Sequence, residues 1–340
     1  MTTATKRRFK HRYIVLVLMI LAVFLLGVYP PVQPHIQVAP EKLLEEPIVE
    51  NFLGLGPLYL VNTMPTLAIT LILIVLIAFS VNRAIKKSQK DLVPHGIGGI
   101  FEALLEMLYN LTEGSAGAKW APKIFPWFAT IMIYVLFANL LKILPGFETF
   151  GFLHHEEVGH PRQYLGPIAY IGAGEVEGGY GLIPWFRGVS VDLNFTFSLA
   201  LIAVIFIQVI GVQTQGFGYF SKFFNTRRMF TVPFFGAMDF LVGLLELISE
   251  LSKILSFAFR LFGNMFAGVV LVAVVGTMMN GAIARFTFGI VPGMLVLFEI
   301  FVGMIQAFVF GMLTMVFMAQ ATVGHHDEEH ESAPAEAHEI

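Results

Sequence analysis

Two ionisable residues stand alone within long apolar stretches of the C-terminal third of the chain. Arg260 lies between SFAF and LFGNMFAG, and its nearest charged neighbours along the chain are Lys253 and Arg285. Glu299 lies within VPGMLVLFEIFVGMIQAFVF, seven residues before Gln306, so the two share a helix face. Because a guanidinium group stays protonated when buried, Arg260 needs a counter-charge from another helix or chain, or a hydrated cavity. A carboxyl group such as Glu299 can bind and release a proton.

A polar stripe leads up to Arg260. Side chains three and four residues apart share one face of a helix, and polar residues recur at these spacings on an otherwise apolar segment. We interpret the stripe as a water-lined path, because it ends at an isolated cation. The stripe consists of Glu246, Ser249, Glu250, Lys253 and Ser256, and it continues to Arg260 and Asn264.

Each of these groups also has a structural interpretation. Arg260 can extend from a helix end to a polar surface. Glu299 can form a hydrogen-bonded pair with Gln306 or an arginine and so hold two helices together. The stripe can be a solvated helix face. We favour the functional interpretation, because ionisable groups are costly in apolar surroundings and are seldom placed there without a role.

The composition is that of a membrane protein. Hydrophobic residues make up 56% of the 340 residues and charged residues 13%, and the mean hydropathy is +0.75. Crossing a hydrocarbon core of roughly 30 Å takes about 20 apolar residues. The sequence predicts an all-α polytopic membrane protein with about six membrane helices, including an extra N-terminal span. The predicted spans are residues 13–29, 66–81, 124–144, 193–215, 234–280 and 284–323.

The loops predict the topology and the domain organisation. Basic clusters at the N-terminus and after residues 81 and 215 place both termini in the cytoplasm by the positive-inside rule. An amphipathic segment, residues 96–117, is predicted to lie along the interface as a helix. We expect an anchor and outer segment at 1–62, a membrane domain at 63–323, and a polar tail at 324–340 that is disordered.

The last two predicted spans are too long for one perpendicular crossing. At 1.5 Å per residue, they would extend about 70 Å and about 60 Å. Each must therefore break or tilt steeply. Steep tilt is expected where a neighbouring surface dictates it, which favours a broad or curved partner for these two helices.

Several function classes are excluded or disfavoured. The chain has no cysteine, so thiolate metal ligation and cysteine nucleophiles are excluded. It has no Gly-rich phosphate-binding loop, and its basic residues form no single patch for nucleic acid. The segment HHEEVGH at 154–160 contains possible zinc ligands, but a solvated loop is the better interpretation, as for the histidines of the tail. We predict no metal site and no cofactor.

The segment LSFAFRLFGNMFAG, residues 255–268, resembles the signature of subunit a of the F-type rotary ATP synthase. Three further stretches are similar to this family: residues 120–148, residues 191–201, and the region from Phe298 to Thr314 that contains Gln306. The resemblance covers roughly residues 55–322. It implies a stator channel beside a ring of c subunits, in which each ring subunit carries one essential carboxyl group, and it implies contacts with peripheral stalk b subunits and lipids.

The resemblance also implies roles for individual residues. Arg260 would face the passing ring carboxylate and separate two offset proton half-channels, with Asn264 and Gln306 beside it. Glu299 would belong to the outer half-channel. The inner path would contain Glu246 and Ser256, with Ser249 and Lys253 as neighbours. The transported ion would be H⁺, with Na⁺ left open, and the location a bacterial plasma membrane.

One position departs from the family pattern. Val269 stands where a His or Glu usually partners the group on the last helix, so another residue or water must complete the outer path. Asp192 and the His-rich loop are the candidates in the sequence. The competing hypothesis is a secondary transporter or channel that works alone with an internal Arg260–Glu299 pair. Such folds usually contain internal repeats, and no convincing repeat is found.

Overall fold

The computed structural model describes residues 38–51, 54, 56–88, 97–144, 147–165, 168–172, 176–223, 233–278 and 290–322. The predicted N-terminal span at 13–29 and the tail at 324–340 lie outside this part of the chain. Within it, the helices are α1 Thr63–Ser88, α2 Ile97–Leu141, α3 Leu193–Gln215, α4 Pro233–Met278 and α5 Ile290–Thr322. Five helices of the described residues are long and apolar enough to cross a membrane, which confirms the polytopic helical prediction.

Helix α2 changes direction at Gly117. This residue has a φ of 73° and a ψ of 161°, a left-handed conformation that glycine adopts without a Cβ clash. The bend divides α2 into a segment that begins at Ile97 and a segment that ends at Leu141. The bend matches the end of the predicted interfacial helix at 117. Its placement along a membrane surface stays a prediction.

The two C-terminal helices are long and continuous. Helix α4 contains 46 residues and α5 contains 33. Their ends lie within a few residues of the ends of the predicted spans 234–280 and 284–323. At 1.5 Å per residue, α4 is about 70 Å long. Because α4 is unbroken, the alternative of a break in this span is wrong, and tilt stays the prediction.

The segment between α2 and α3 contains β-structure, which the sequence analysis did not predict. It forms β1 Gly151–His160, β2 Arg162–Leu165, β3 Ile168–Ile171, β4 Val176–Glu177 and β5 Tyr180–Pro184. Strand β1 is central, pairing antiparallel with β4 and β5, while β2 and β3 form a hairpin. The prediction that this segment is a loop was therefore wrong, and the fold is mostly helical with two small sheets.

The chain divides into two compact units. The first unit contains the described parts of residues 1–69, 138–192 and 263–304, and thus the β-structure. The second unit contains the described parts of residues 70–137, 193–262 and 305–340. Helices α1, α2, α4 and α5 contribute residues to both units, and each unit has its own packing.

The second unit has a core of aromatic and aliphatic side chains. Phe257 of α4 lies 5.3 Å from Phe310 of α5, measured between ring centroids, and both are fully buried. At Gly311, a Cβ atom would lie only 2.8 Å from the Cβ of Met132 on α2. Glycine at 311 thus permits the close approach of α5 and α2 within this unit.

The first unit is built around buried polar contacts. Asn139, near the end of α2, donates to the carbonyl of Gly303 on α5 at 3.1 Å and accepts from the Ser190 hydroxyl at 2.6 Å. Asp192 accepts from the hydroxyl of Thr63, the first residue of α1, at 2.8 Å. Because buried polar groups need partners, these bonds hold the start of α1, the end of α2 and the Gly303 region of α5 in place within the first unit.

Candidate functional site

Arg260 belongs to the second unit and lies exposed on α4. Its Nη2 donates to the hydroxyl of Ser256, one turn earlier, at 3.4 Å, which is a long and weak hydrogen bond. Within the described residues, no carboxylate lies close enough to Arg260 to form a salt bridge. The exposed side chain of Phe259 precedes it on a helix that is otherwise largely apolar. Arg260 is therefore an exposed cation on a largely apolar helix.

The polar stripe that precedes Arg260 is not uniform. Lys253 forms an ion pair with Glu250 at 3.1 Å, and Glu250 is buried. The Lys253 ammonium also lies 4.8 Å from the ring centroid of Phe317 on α5, a cation–π contact within the second unit. Ser249 and Ser256 are exposed. Lys253 thus has a carboxylate from its own helix, and its charge is neutralised locally.

The structure places the remaining residues of this predicted site as follows. Glu246 is half-buried on α4, and Gln306 is buried on α5; both belong to the second unit. Asn264 is exposed on α4 and belongs to the first unit.

Glu299 belongs to the first unit, where it forms an ion pair with Lys142. The Lys142 ammonium lies 2.5 Å from Glu299 Oε1, and the two side chains are 3% and 15% exposed. Lys142 directly follows the last residue of α2. The sequence analysis did not assign Lys142 to the site, although it is the only charged residue between Lys123 and Glu148. That isolation in an apolar run is the signal that could have identified it.

A cavity of about 380 Å³ lies in the first unit beside this pair. Polar groups line one part of it and apolar groups the rest. One water occupies about 30 Å³ of liquid volume, so the cavity has room for several waters next to ionic groups that can bind them. Its lining residues are Lys142, Asn264, Met265, Ala267, Gly268, Leu271, Phe298, Glu299 and Val302.

The other candidates for the partner of Glu299 are engaged elsewhere. Asp192 accepts the hydrogen bond from Thr63 described above. In the His-rich segment, His154 Nε2 lies 3.0 Å from Glu156 Oε1 within β1. No group of three or more possible ligands that could hold a metal ion occurs among the described residues.

Comparisons with known proteins identify the family. The family described as ATP synthase A chain matches residues 66–319, which is well over half of the chain. The chain belongs to this family. ATP synthase subunit a of Desulforamulus reducens is 31% identical over 272 residues, which cover 79% of this chain and 81% of the relative. Subunit a of Mycobacterium bovis is 27% identical over 271 residues, with 79% and 90% covered. Subunit a of Helicobacter pylori is 28% identical over 262 residues, with 77% and 89% covered.

Family membership confirms the resemblance in the sequence. The chain is a membrane-embedded, proton-translocating subunit of the F-type ATP synthase and carries out no catalytic chemistry by itself. The matched region contains Lys142, Arg260 and Glu299. Those three ionisable groups are therefore part of the family's common domain.

Proposed function

We propose that this chain is the stator channel that offers two offset proton half-channels to the carboxyl groups of a c-subunit ring, with Arg260 separating them. The observation that carries the proposal is the state of Arg260. It is a permanent, exposed cation on a largely apolar helix, and no carboxylate of the described residues forms a salt bridge with it. A moving acid on a partner subunit would supply the missing negative charge.

The charge of Arg260 determines where the ring acid releases its proton. A nearby cation favours the ionised form of an approaching carboxyl group, so the ring acid releases its proton beside Arg260. When rotation carries the acid into lipid, the charged form becomes costly and the acid must be protonated first. If the two water paths are offset, a proton gradient across the membrane drives the ring in one direction. The membrane potential supplies about 2.3 kcal/mol per charge per 100 mV.

Each half-channel has its own residues. The outer path would use Glu299 and the cavity that Glu299 and Asn264 line in the first unit. The inner path would use Glu246, Ser249 and Ser256 along α4. Lys253 would hold Glu250 in that path, since the two form an ion pair. Gln306 would be an uncharged neighbour of the ring contact.

Exposed apolar side chains on α4 and α5 support a ring as the partner. In the second unit, α4 exposes Leu245, Leu251 and Phe259 by 64%, 56% and 55% of their surface. In the first unit, α5 exposes Leu297 and Phe301 by 65% and 61%. Apolar surface of this kind suits a partner helix or lipid.

The remaining expectations concern partners, location and the transported ion. We expect stalk b subunits and lipids to cover other surfaces of the subunit. We expect both termini to be cytoplasmic in a bacterial plasma membrane, and H⁺ to be the ion.

Coupled ATP synthesis tests the proposal. We expect Arg260→Ala, introduced into the complete ATP synthase in membrane vesicles, to abolish ATP synthesis driven by a proton gradient. Arg260→Lys tests whether a point charge is sufficient, and Arg162→Ala on the exposed strand β2 is the matched control. Wild-type synthesis by Arg260→Ala would refute the proposal. Proton transport by the purified chain without a ring would favour the stand-alone transporter instead.

A further inference from the structure

We propose that Lys142 is the positioning residue of the outer proton path: its ammonium holds the Glu299 carboxylate at the wall of the cavity. This inference rests on the proposed function and adds a residue and a charge to it. The carrying observation is the Lys142–Glu299 ion pair in the first unit.

The ion pair is asymmetric in its exposure. Lys142 is 3% exposed and Glu299 is 15% exposed, and both line the cavity. The carboxylate is thus the member of the pair that solvent reaches more easily. The ammonium Nζ has no hydrogen bond of good geometry among the described residues, so the ion pair with Glu299 is its main interaction there. An ammonium has three donors, and water in the cavity can accept from the others.

The position of the ammonium is fixed by packing. Gly188 lies against the aliphatic stem of Lys142, since a Cβ atom at Gly188 would be 2.9 Å from Lys142 Cδ. The backbone N–H of Gly188 donates to Glu148 Oε1 at 2.9 Å, which holds this glycine in place. Gly188 has a φ of −54°, so alanine is allowed by its backbone and would act only through the contact with Lys142.

The other charged groups near the pair have partners of their own. Glu148 accepts from Gly188, Asp192 accepts from Thr63, and Arg187 donates to the carbonyl of Ala39 at 2.8 Å. The residues that α4 contributes to the cavity, from Asn264 to Leu271, are uncharged. Lys142 is therefore the cation that directly opposes Glu299 within the described part of the first unit.

The charge of Lys142 should determine where the Glu299 carboxylate rests. Opposite charges attract each other strongly in partly apolar surroundings, so the Lys142 ammonium draws the carboxylate to the cavity wall. Without this cation, the Glu299 side chain loses its ion-pair partner and can leave the cavity wall, which would slow proton flow through the outer path.

The test uses the complete ATP synthase in liposomes, with ATP synthesis measured against the pH of the proton-donating side. We expect Lys142→Met to slow synthesis and to shift its pH profile, and Lys142→Arg to restore both. Lys119→Met removes the same charge from an exposed position on α2 and should change neither. Gly188→Ala should shift the profile in the same direction by a smaller amount, which keeps the test valid if Lys142→Met prevents assembly.

A second readout reports on Glu299 directly. Dicyclohexylcarbodiimide modifies protonated carboxyl groups, and mass spectrometry of the peptide that contains Glu299 separates this label from label on the ring. We expect more labelling of Glu299 in Lys142→Met than in the wild type and in Lys119→Met. Unchanged labelling together with an unchanged pH profile would overturn the inference. If Arg260→Ala still abolishes synthesis in the same series, an overturned inference about Lys142 would leave the proposed function intact.

Discussion

The two units of this subunit each contain a cation in apolar surroundings, and the chain treats the two cations differently. In the first unit, Lys142 is buried and has a carboxylate of the same chain at 2.5 Å. In the second unit, Arg260 is exposed, and within the described residues it forms a long hydrogen bond to Ser256 and no salt bridge. A buried charge needs a permanent partner, because the cost of leaving it unpaired is several kcal/mol. A charge at an interface can obtain its partner from another subunit.

The same contrast appears within the second unit between two basic residues of one helix. Lys253 is neutralised by Glu250 and packs against Phe317, whereas Arg260 forms no ion pair with an acid among the described residues. The two residues are seven apart, two turns along α4. Two basic residues on one helix therefore differ in whether their charge is neutralised, because, within the described residues, an acid of the same chain lies beside Lys253 and not beside Arg260.

The largest effect should come from giving Arg260 an internal acid. Ser256→Asp places a carboxylate one turn before Arg260, at the position that already bonds to it. An aspartate and an arginine four residues apart on a helix attract each other. We expect ATP synthesis in membrane vesicles to fall to background although Arg260 is intact, because the new carboxylate pairs with Arg260 and neutralises its charge.

Two controls accompany this variant. Ser256→Asn keeps the size without the charge, and Ser252→Asp adds the charge on the same exposed helix but farther from Arg260. Ser252→Asp should retain most of the activity, and Ser256→Asn should retain clearly more than Ser256→Asp. If Ser256→Asp also synthesises ATP at the wild-type rate, the free cation is not what the site requires.

A smaller and different effect is expected in the first unit when its internal pair is broken. Glu299→Gln leaves Lys142 buried without its carboxylate, and breaking a buried pair costs about 3–5 kcal/mol. We expect a lower yield of assembled complex, measured by immunoblotting of purified membranes, as well as slower proton flow. The double variant Lys142→Met with Glu299→Gln should recover the yield but not the flow.

This double variant separates structure from function. Recovery of the yield would mean that the pair stabilises the unit, and persistent slow flow would mean that Glu299 itself carries protons. Full recovery of both would contradict the role of Glu299 and leave the pair as a purely structural contact.

Much of this picture was predictable from the sequence, for physical reasons. The long helices α3, α4 and α5 follow from continuous apolar runs, and the isolation of Arg260 follows from the lack of an acid one turn away. The β-structure at 151–184 was missed because β2 to β5 are short, and because the ten-residue strand β1 is rich in glycine and histidine and lacks a clear alternation. The Lys142–Glu299 pair was missed because only folding brings the end of α2 to α5, and single-sequence patterns contain no such distance.

The most direct test of the central claim is whether the helix face that carries Arg260 meets a ring subunit. The sequence contains no cysteine, so single cysteines can be introduced without background. Phe259→Cys on α4 should form a disulfide with a cysteine placed beside the ring carboxyl group, and reduction should restore rotation-dependent ATP hydrolysis. Val75→Cys, at an exposed position of α1, should form no such disulfide. A disulfide with Val75→Cys and none with Phe259→Cys would contradict the account.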